Sequence, residues 1–170
     1  MWRWRCCLPI SWLLLVGARG GGCRDPEDAA TLSLLREVGI AKESAVLAHG
    51  GRIVKRLGDG LMASFLTAEA AVQAALEAQT ALVEVEVEDY RPKMRAGVHW
   101  GRPRRLGGDF LGVDVNIAAR VGEAAKADQV LVSDTAGERL DSEAYKFGRR
   151  KRLRAEGAPR ELHVVAIARP

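Results

Sequence analysis

"SWLLLV", residues 11–16, has two readings that lead to different proteins. In the first it is the apolar stretch of an N-terminal leader, with Arg3 and Arg5 ahead of it and small residues before Cys23 behind it. The whole apolar run, Leu8 to Val16, is too short to cross a bilayer. In the second it is a β-strand, the first element of the domain that follows. The surrounding residues differ in composition from the rest: Trp2, Trp4 and Trp12 are three of the four tryptophans, and Cys6, Cys7 and Cys23 are all the cysteines. Three cysteines without metal-ligand spacing imply neither a zinc finger nor a disulfide framework. Arg3, Arg5, Arg19 and Arg24, with no acid among residues 1–24, account for the entire net charge of +4, so the body of the chain is neutral on balance.

Outward from this stretch, the elements can be placed by pattern. Asp25-Pro26-Glu27-Asp28 is a helix start, with a capping carboxylate, proline at the first helical position and acids in the first turn. Leu35, Val38, Ala41, Ala45 and Ala48 keep helical spacing as far as His49, and Gly50-Gly51 ends the helix. Gly39 within it costs about 1 kcal/mol, so the helix depends on packing. Two strands, Arg52 to Leu57 and Leu61 to Phe65, meet at Gly58-Asp59-Gly60 as a hairpin. Thr67 caps an alanine-rich helix reaching about Val83, and Lys93 to His99 alternates as a strand. Gly101 to Gly112 reads as a glycine- and arginine-rich loop, Asp114 to Ala125 as a helix, Gln129 to Val132 as a strand and Asp134 to Leu140 as a helix. Strands over 147–154 and 161–168, with a turn at Gly157-Ala158-Pro159, close the chain. If residues 11–16 are also a strand, the order begins β-α-β-β-α-β. That is the split βαβ core of ferredoxin-like α/β (α+β) folds, here with additional C-terminal helices and strands. The 170 residues fit one such domain.

Individually, the residues that could carry chemistry have plain explanations. Aspartate and glycine are ordinary turn residues, which accounts for Gly58-Asp59-Gly60. In "DVNIAAR", residues 114–120, Asn116 can serve a helix start and Arg120 can be a surface cation. Their i, i+4 spacing also puts an amide and a guanidinium on one helical face, within reach of a single anionic ligand. Lys146, Arg149, Arg150, Lys151, Arg152 and Arg154 form a basic cluster that either grips phosphate or is a solvated strand face.

Taken in order, "IVKRLGDGLMASF", "RAGVHWGRP", "GDFLGVDVNIAARV" and "VLVSDTA" resemble the catalytic domain of class III nucleotidyl cyclases, from about residue 25 to residue 168. That family makes cyclic AMP or cyclic GMP from the triphosphate. The resemblance implies the nucleotide cyclase fold and a two-metal site, with Mg²⁺ or Mn²⁺ activating the 3′-hydroxyl for in-line attack on the α-phosphate. It places Asp59 as one of two metal aspartates, Lys55 and Asp109 as the pair that reads the base, Asn116 as the residue orienting the ribose, and Arg120 as the one stabilising α-phosphate charge. A donor and an acceptor at Lys55 and Asp109 suit adenine, which points to ATP. The sets come from different subunits in this family, so a head-to-tail homodimer, or a heterodimer with another cyclase domain, is expected.

Two departures stand against this pattern. The family's first strand runs F-x-D-[IL]-x-G-[FS]-T, whereas "WLLLVGAR", residues 12–19, has Leu14 at the metal aspartate and Arg19 at the threonine. Near the C-terminus a usual Leu-Lys-Gly is Ala155-Glu156-Gly157. The expectation is therefore a cyclase domain over 25–168 after an atypical segment over 1–24, which is a degenerate first strand or a misread start. The first metal aspartate is missing and turnover is impaired. The competing expectation is an inactive cyclase-like subunit that lends its base-reading and transition-state residues to another chain. A cytoplasmic location without a membrane span is expected, and so is no nucleic-acid partner, because the body lacks the aromatic run with which ferredoxin-like sheets stack bases.

Overall fold

Residues 11–16 form a strand. In the computed structural model, which describes residues 10–18, 29–87, 90–107 and 109–170, β1 (Ile10–Ala18) is antiparallel on both sides to strands far along the chain. The expected helix start at residues 25–28, the three cysteines and Arg19 lie outside the described residues. Helix α1 (Ala29–Ala48) ends as its glycines predict. Gly50 turns to φ 69°, while the Gly51 N–H bonds back to the Val46 carbonyl at 2.8 Å. Strands β2 (Arg52–Leu57) and β3 (Gly60–Phe65) form the hairpin. Helix α2 (Ala68–Val83) starts where the Thr67 hydroxyl accepts from the Ala70 N–H at 3.1 Å.

After β4 (Lys93–Gly101) the structure departs from the expected loop. β5 (Arg104–Leu106) and β6 (Asp109–Leu111) pair as a second hairpin, which includes Gly107 at φ 60°. Arginine-rich residues hid this element, since they show no apolar alternation. Then follow α3 (Val113–Ala124), β7 (Val130–Ser133) and α4 (Asp134–Gly137), the last a single turn rather than the longer helix expected to Leu140. The strand expected over 147–154 is split into β8 (Lys146–Phe147) and β9 (Lys151–Arg152), each paired with β10 (His163–Ala168).

The main sheet runs β2-β3-β1-β4-β7-β10-β8, with β9 also beside β10. Its first four strands are antiparallel throughout, in the ferredoxin-like order, and β4 continues to β7 in parallel. One face is covered by α1 and α2, where Val38, Val46, Val72, Leu82, Met94, Ala96, Val98 and Phe65 form the main core. Each of these side chains larger than alanine contributes roughly 1.5–3 kcal/mol when fully buried. The alanines of α2 allow close approach, and Ala71, Ala74, Ala75 and Ala78 are wholly buried. The other face carries α3, which presses so near β4 that Gly97 and Gly122 meet backbone to backbone.

Candidate active site

A β-bulge determines which face Lys55 occupies. Ile53 pairs with Ala63, but the next pair along the ladder is Lys55 with Met62, so Val54 is extra on β2. Ile53 packs against the main core. Beyond the bulge Lys55 shares a rung with Met62, which belongs to a separate cluster with Phe110 and Ala118 on the α3 side. That cluster seats the β5–β6 hairpin against β3 and α3. As a result the Lys55 ammonium donates to Asp109 Oδ2 at 2.6 Å across 54 residues of sequence. Asp109 Oδ1 accepts from the Phe110 N–H at 2.7 Å. The Lys55 hydrogen bond first, and the Phe110 N–H second, hold the Asp109 carboxyl below the usual carboxylate range. Both side chains are partly exposed, so the pair is a surface one whose hydrogen bonds can be redirected to a ligand.

Asn116 and Arg120 stand one turn apart on α3, Asn116 exposed and Arg120 half-buried. The Arg120 guanidinium donates to Glu123 Oε2 at 2.6 Å, a local partner that an incoming phosphate would have to displace. Asp59 is exposed at the β2–β3 tip, beside Gly58 at φ 62°. The structure thus brings Lys55 together with Asp109 and puts Asn116 and Arg120 on one helix, while Asp59 stands on a separate tip. Leu14 lies on the rung of Met62 and Gly97, in the strand next to the one that Asp59 precedes. The Ala155-Glu156-Gly157 turn borders a cavity of about 540 Å³ lined by Arg152, Arg154 and Arg160. Of the basic cluster, Arg150 forks onto Asp134 at 3.1 and 2.6 Å and Arg152 donates to the Arg160 carbonyl at 2.7 Å.

Two groups at the site escape sequence reasoning. The first is Lys42, 2 % exposed, whose ammonium donates to the Asp59 backbone carbonyl. Burial pushes its pKa below the ordinary lysine range, and the Asp59 charge opposes that shift. A signal was present: Lys42 is i+4 from Val38 and i−4 from Val46, on the apolar stripe of α1.

The second is His99 of β4. Its Nε2–H donates to Asp114 Oδ1 at 3.2 Å, and Nδ1 accepts from the Ser133 hydroxyl at 2.8 Å. The order Asp–His–Ser is that of an acyl-transfer triad, yet Ser133 is fully buried and its Oγ caps α4 at Ala136. The network instead braces the first turn of α3, because Asp114 also accepts from the Arg102 N–H at 2.8 Å. Burial lowers the His99 pKa from its usual 6.5, while Asp114 opposes the shift. The unfolded chain therefore takes up a proton near pH 6.5 that the folded chain refuses until lower pH. This contribution is present above pH 6.5 and is lost as the pH falls through the folded value. Urea midpoints measured from pH 7.5 to 5 should fall more steeply for the wild type than for His99→Gln.

With this geometry in place, comparison with known proteins identifies the family. The sequence profile of the adenylate and guanylate cyclase catalytic domain matches residues 27–167. The chain belongs to that family. This cyclase domain is 37 % identical over 98 residues to an adenylate cyclase of Streptomyces coelicolor, covering 56 % of this chain and 24 % of that protein. To an adenylate cyclase of Glutamicibacter nicotianae it is 35 % identical over 95 residues, 56 % of this chain and 23 % of that protein. The chain thus spans about a quarter of the length of these curated relatives. Solved structures show the fold. An adenylate cyclase of Trypanosoma brucei superposes with TM-score 0.81 at 17 % identity, covering 94 % of this chain and 89 % of that one. The guanylyl cyclase Cya2 does so with TM-score 0.78 at 21 % identity, covering 94 % and 90 %. The profile match begins after β1, so the strand holding Leu14 keeps its place in the sheet outside the matched residues.

Among the described residues, the side chains around Asp59 do not fit a two-ion magnesium or manganese site. Among the described residues, no three His, Cys, Asp or Glu side chains stand together as a metal cluster. Asp59 has the Lys42 ammonium beside it, and Leu14 has no oxygen to offer. Among the described residues, no helix is long and apolar enough to cross a membrane.

Proposed function

We propose that this chain is an adenylate-type cyclase domain acting on ATP in the cytoplasm, with little turnover of its own. The reaction is cyclisation of ATP to cyclic AMP and pyrophosphate, for intracellular signalling. The observation that carries the reading is the Lys55–Asp109 pair at 2.6 Å. The ammonium has further protons to give adenine N1, and the carboxylate has lone pairs for the adenine amino group. Arg120 exchanges Glu123 for the α-phosphate, and Asn116 orients the ribose from the same helical face. No ion-binding step is assigned to the chain's own residues. In a dimer, Leu57, Leu111 and Val113, exposed on the elements around the pair, give the partner domain an apolar rim to cover.

A second reading is favoured by Lys42 beside Asp59: the chain lends its nucleotide half to another cyclase domain that keeps both metal aspartates. The two readings share the nucleotide half and differ at Asp59. One titration tests what they share. Fluorescent ATP should bind at least about tenfold tighter than fluorescent GTP, and Asp109→Ala should weaken ATP about tenfold, the scale of one charge-assisted hydrogen bond. Equal or tighter GTP binding would remove the adenine assignment.

A further inference from the structure

We propose that Lys42 is a resident cation of the hairpin tip, holding the place of a positive ion beside Asp59 and lowering this chain's own affinity for divalent metal. The inference rests on the reading of Asp59 as a metal carboxylate.

Burying a lysine is costly, and an unpaired ammonium in an apolar stripe would be replaced by methionine or leucine at no loss of packing. Lys42 is nevertheless almost fully buried, between Val38 and Val46, and its ammonium reaches the backbone of the one residue that projects a carboxylate from the tip. The neighbouring charges do not answer it. Glu43 and Arg56, which join α1 to the same hairpin, neutralise each other through bonds of 2.5 and 2.9 Å. The charge acting on Lys42 is that of Asp59, and the two line one cleft of about 340 Å³ with Arg36, Glu43 and Arg56. With Glu43 and Arg56 paired to each other, Arg36 adds a further positive charge to that cleft. A divalent ion arriving at Asp59 would meet the positive charge of an ammonium bonded to that residue's own backbone carbonyl. With leucine at position 14 and the Lys42 ammonium on the Asp59 carbonyl, the tip offers a divalent ion one carboxylate with a cation against its backbone. Both features favour the role of nucleotide-reading partner.

The test is Mn²⁺ binding to the full chain, read from the electron paramagnetic resonance signal of free ion. Lys42→Met should bind Mn²⁺ at least about tenfold tighter than the wild type, given the doubled repulsion a divalent ion feels. Adding Asp59→Asn should abolish the gain. Lys42→Leu repeats the measurement should the methionine variant fold poorly, and thermal melting reports folding for each. Unchanged or weaker Mn²⁺ binding in a folded Lys42 variant, with Asp59→Asn still lowering binding, overturns the inference alone. If Asp59→Asn changes nothing in either background, the metal reading of Asp59 fails, and the inference with it. A lower melting temperature without tighter binding leaves Lys42 as only an anchor of the hairpin, which also overturns it.

Discussion

On the adenylate-type reading, Leu14→Asp should raise cyclic AMP formation in the presence of Mn²⁺ by about 100-fold over the wild type. The expectation follows from what one carboxylate does at a divalent ion. A bound ion supplies several kcal/mol of transition-state stabilisation, and each 1.36 kcal/mol is a factor of about ten in rate. Leu14 lies on the rung of Met62, beside the strand that Asp59 precedes, so an aspartate there enters the sheet next to the hairpin that carries Asp59. Two controls separate chemistry from folding. Leu14→Asn has nearly the same shape without the charge and should melt like the aspartate variant while staying inactive. Asp59→Ala in the Leu14→Asp background should remove the gain. Robust wild-type turnover abolished by Asp59→Ala would show instead that the metal half is intact as it stands.

Gly97→Ala should cost about 3 kcal/mol or more of stability and abolish ATP binding at the same time. A Cβ at Gly97 would lie 2.1 Å from the Gly122 nitrogen, 2.4 Å from its Cα and 2.7 Å from the Val121 carbonyl carbon. All three atoms are backbone, so no side chain can rotate away and α3 itself must move. Asn116 and Arg120 ride on that helix, and the His99–Asp114 bond that braces its first turn would be strained as well. Denaturant midpoints give the stability term, and the fluorescent ATP titration gives the other. Gly39→Ala is the opposite case. Nothing lies within 4 Å of its missing Cβ, so the same substitution in α1 should stabilise by roughly 0.5–1 kcal/mol. A Gly97→Ala protein as stable as the wild type would mean that the sheet and α3 are not in contact as described.

Much of the architecture could be read from the residues because the signals are local. Thr67 marks the start of α2, Gly50-Gly51 the end of α1, and Gly58-Asp59-Gly60 the hairpin, each through chemistry confined to a few neighbours. What could not be read depends on distant partners. The bulge at Val54 exists only relative to β3, and without it Lys55 would share the face of Ile53, away from Asp109. The β5–β6 hairpin carries no alternation of its own and is held through Phe110 by Met62 and Ala118. The His99 network draws on β4, β7 and α3, elements with no common sequence pattern. Lys42 was legible in principle, as a lone charge on an apolar stripe, but its acceptor lies 17 residues away.

β1 carries a final consequence, for the order of events on the ribosome. It leaves the exit tunnel before every other strand of its sheet, yet its ladder partners are β3, ending at Phe65, and β4, ending at Gly101. At the usual rates of synthesis, roughly 5–20 residues per second, the nascent strand waits roughly 5–20 s before its second edge can be covered. Until β3 emerges it presents an apolar segment with unpaired N–H and C=O groups on both sides, and until β4 emerges it keeps one open edge, the feature that chaperones bind and that aggregates grow from. Substitutions that slow the closing of β4 onto β1 should therefore lower the soluble yield in cells well before they lower the melting temperature of the purified protein.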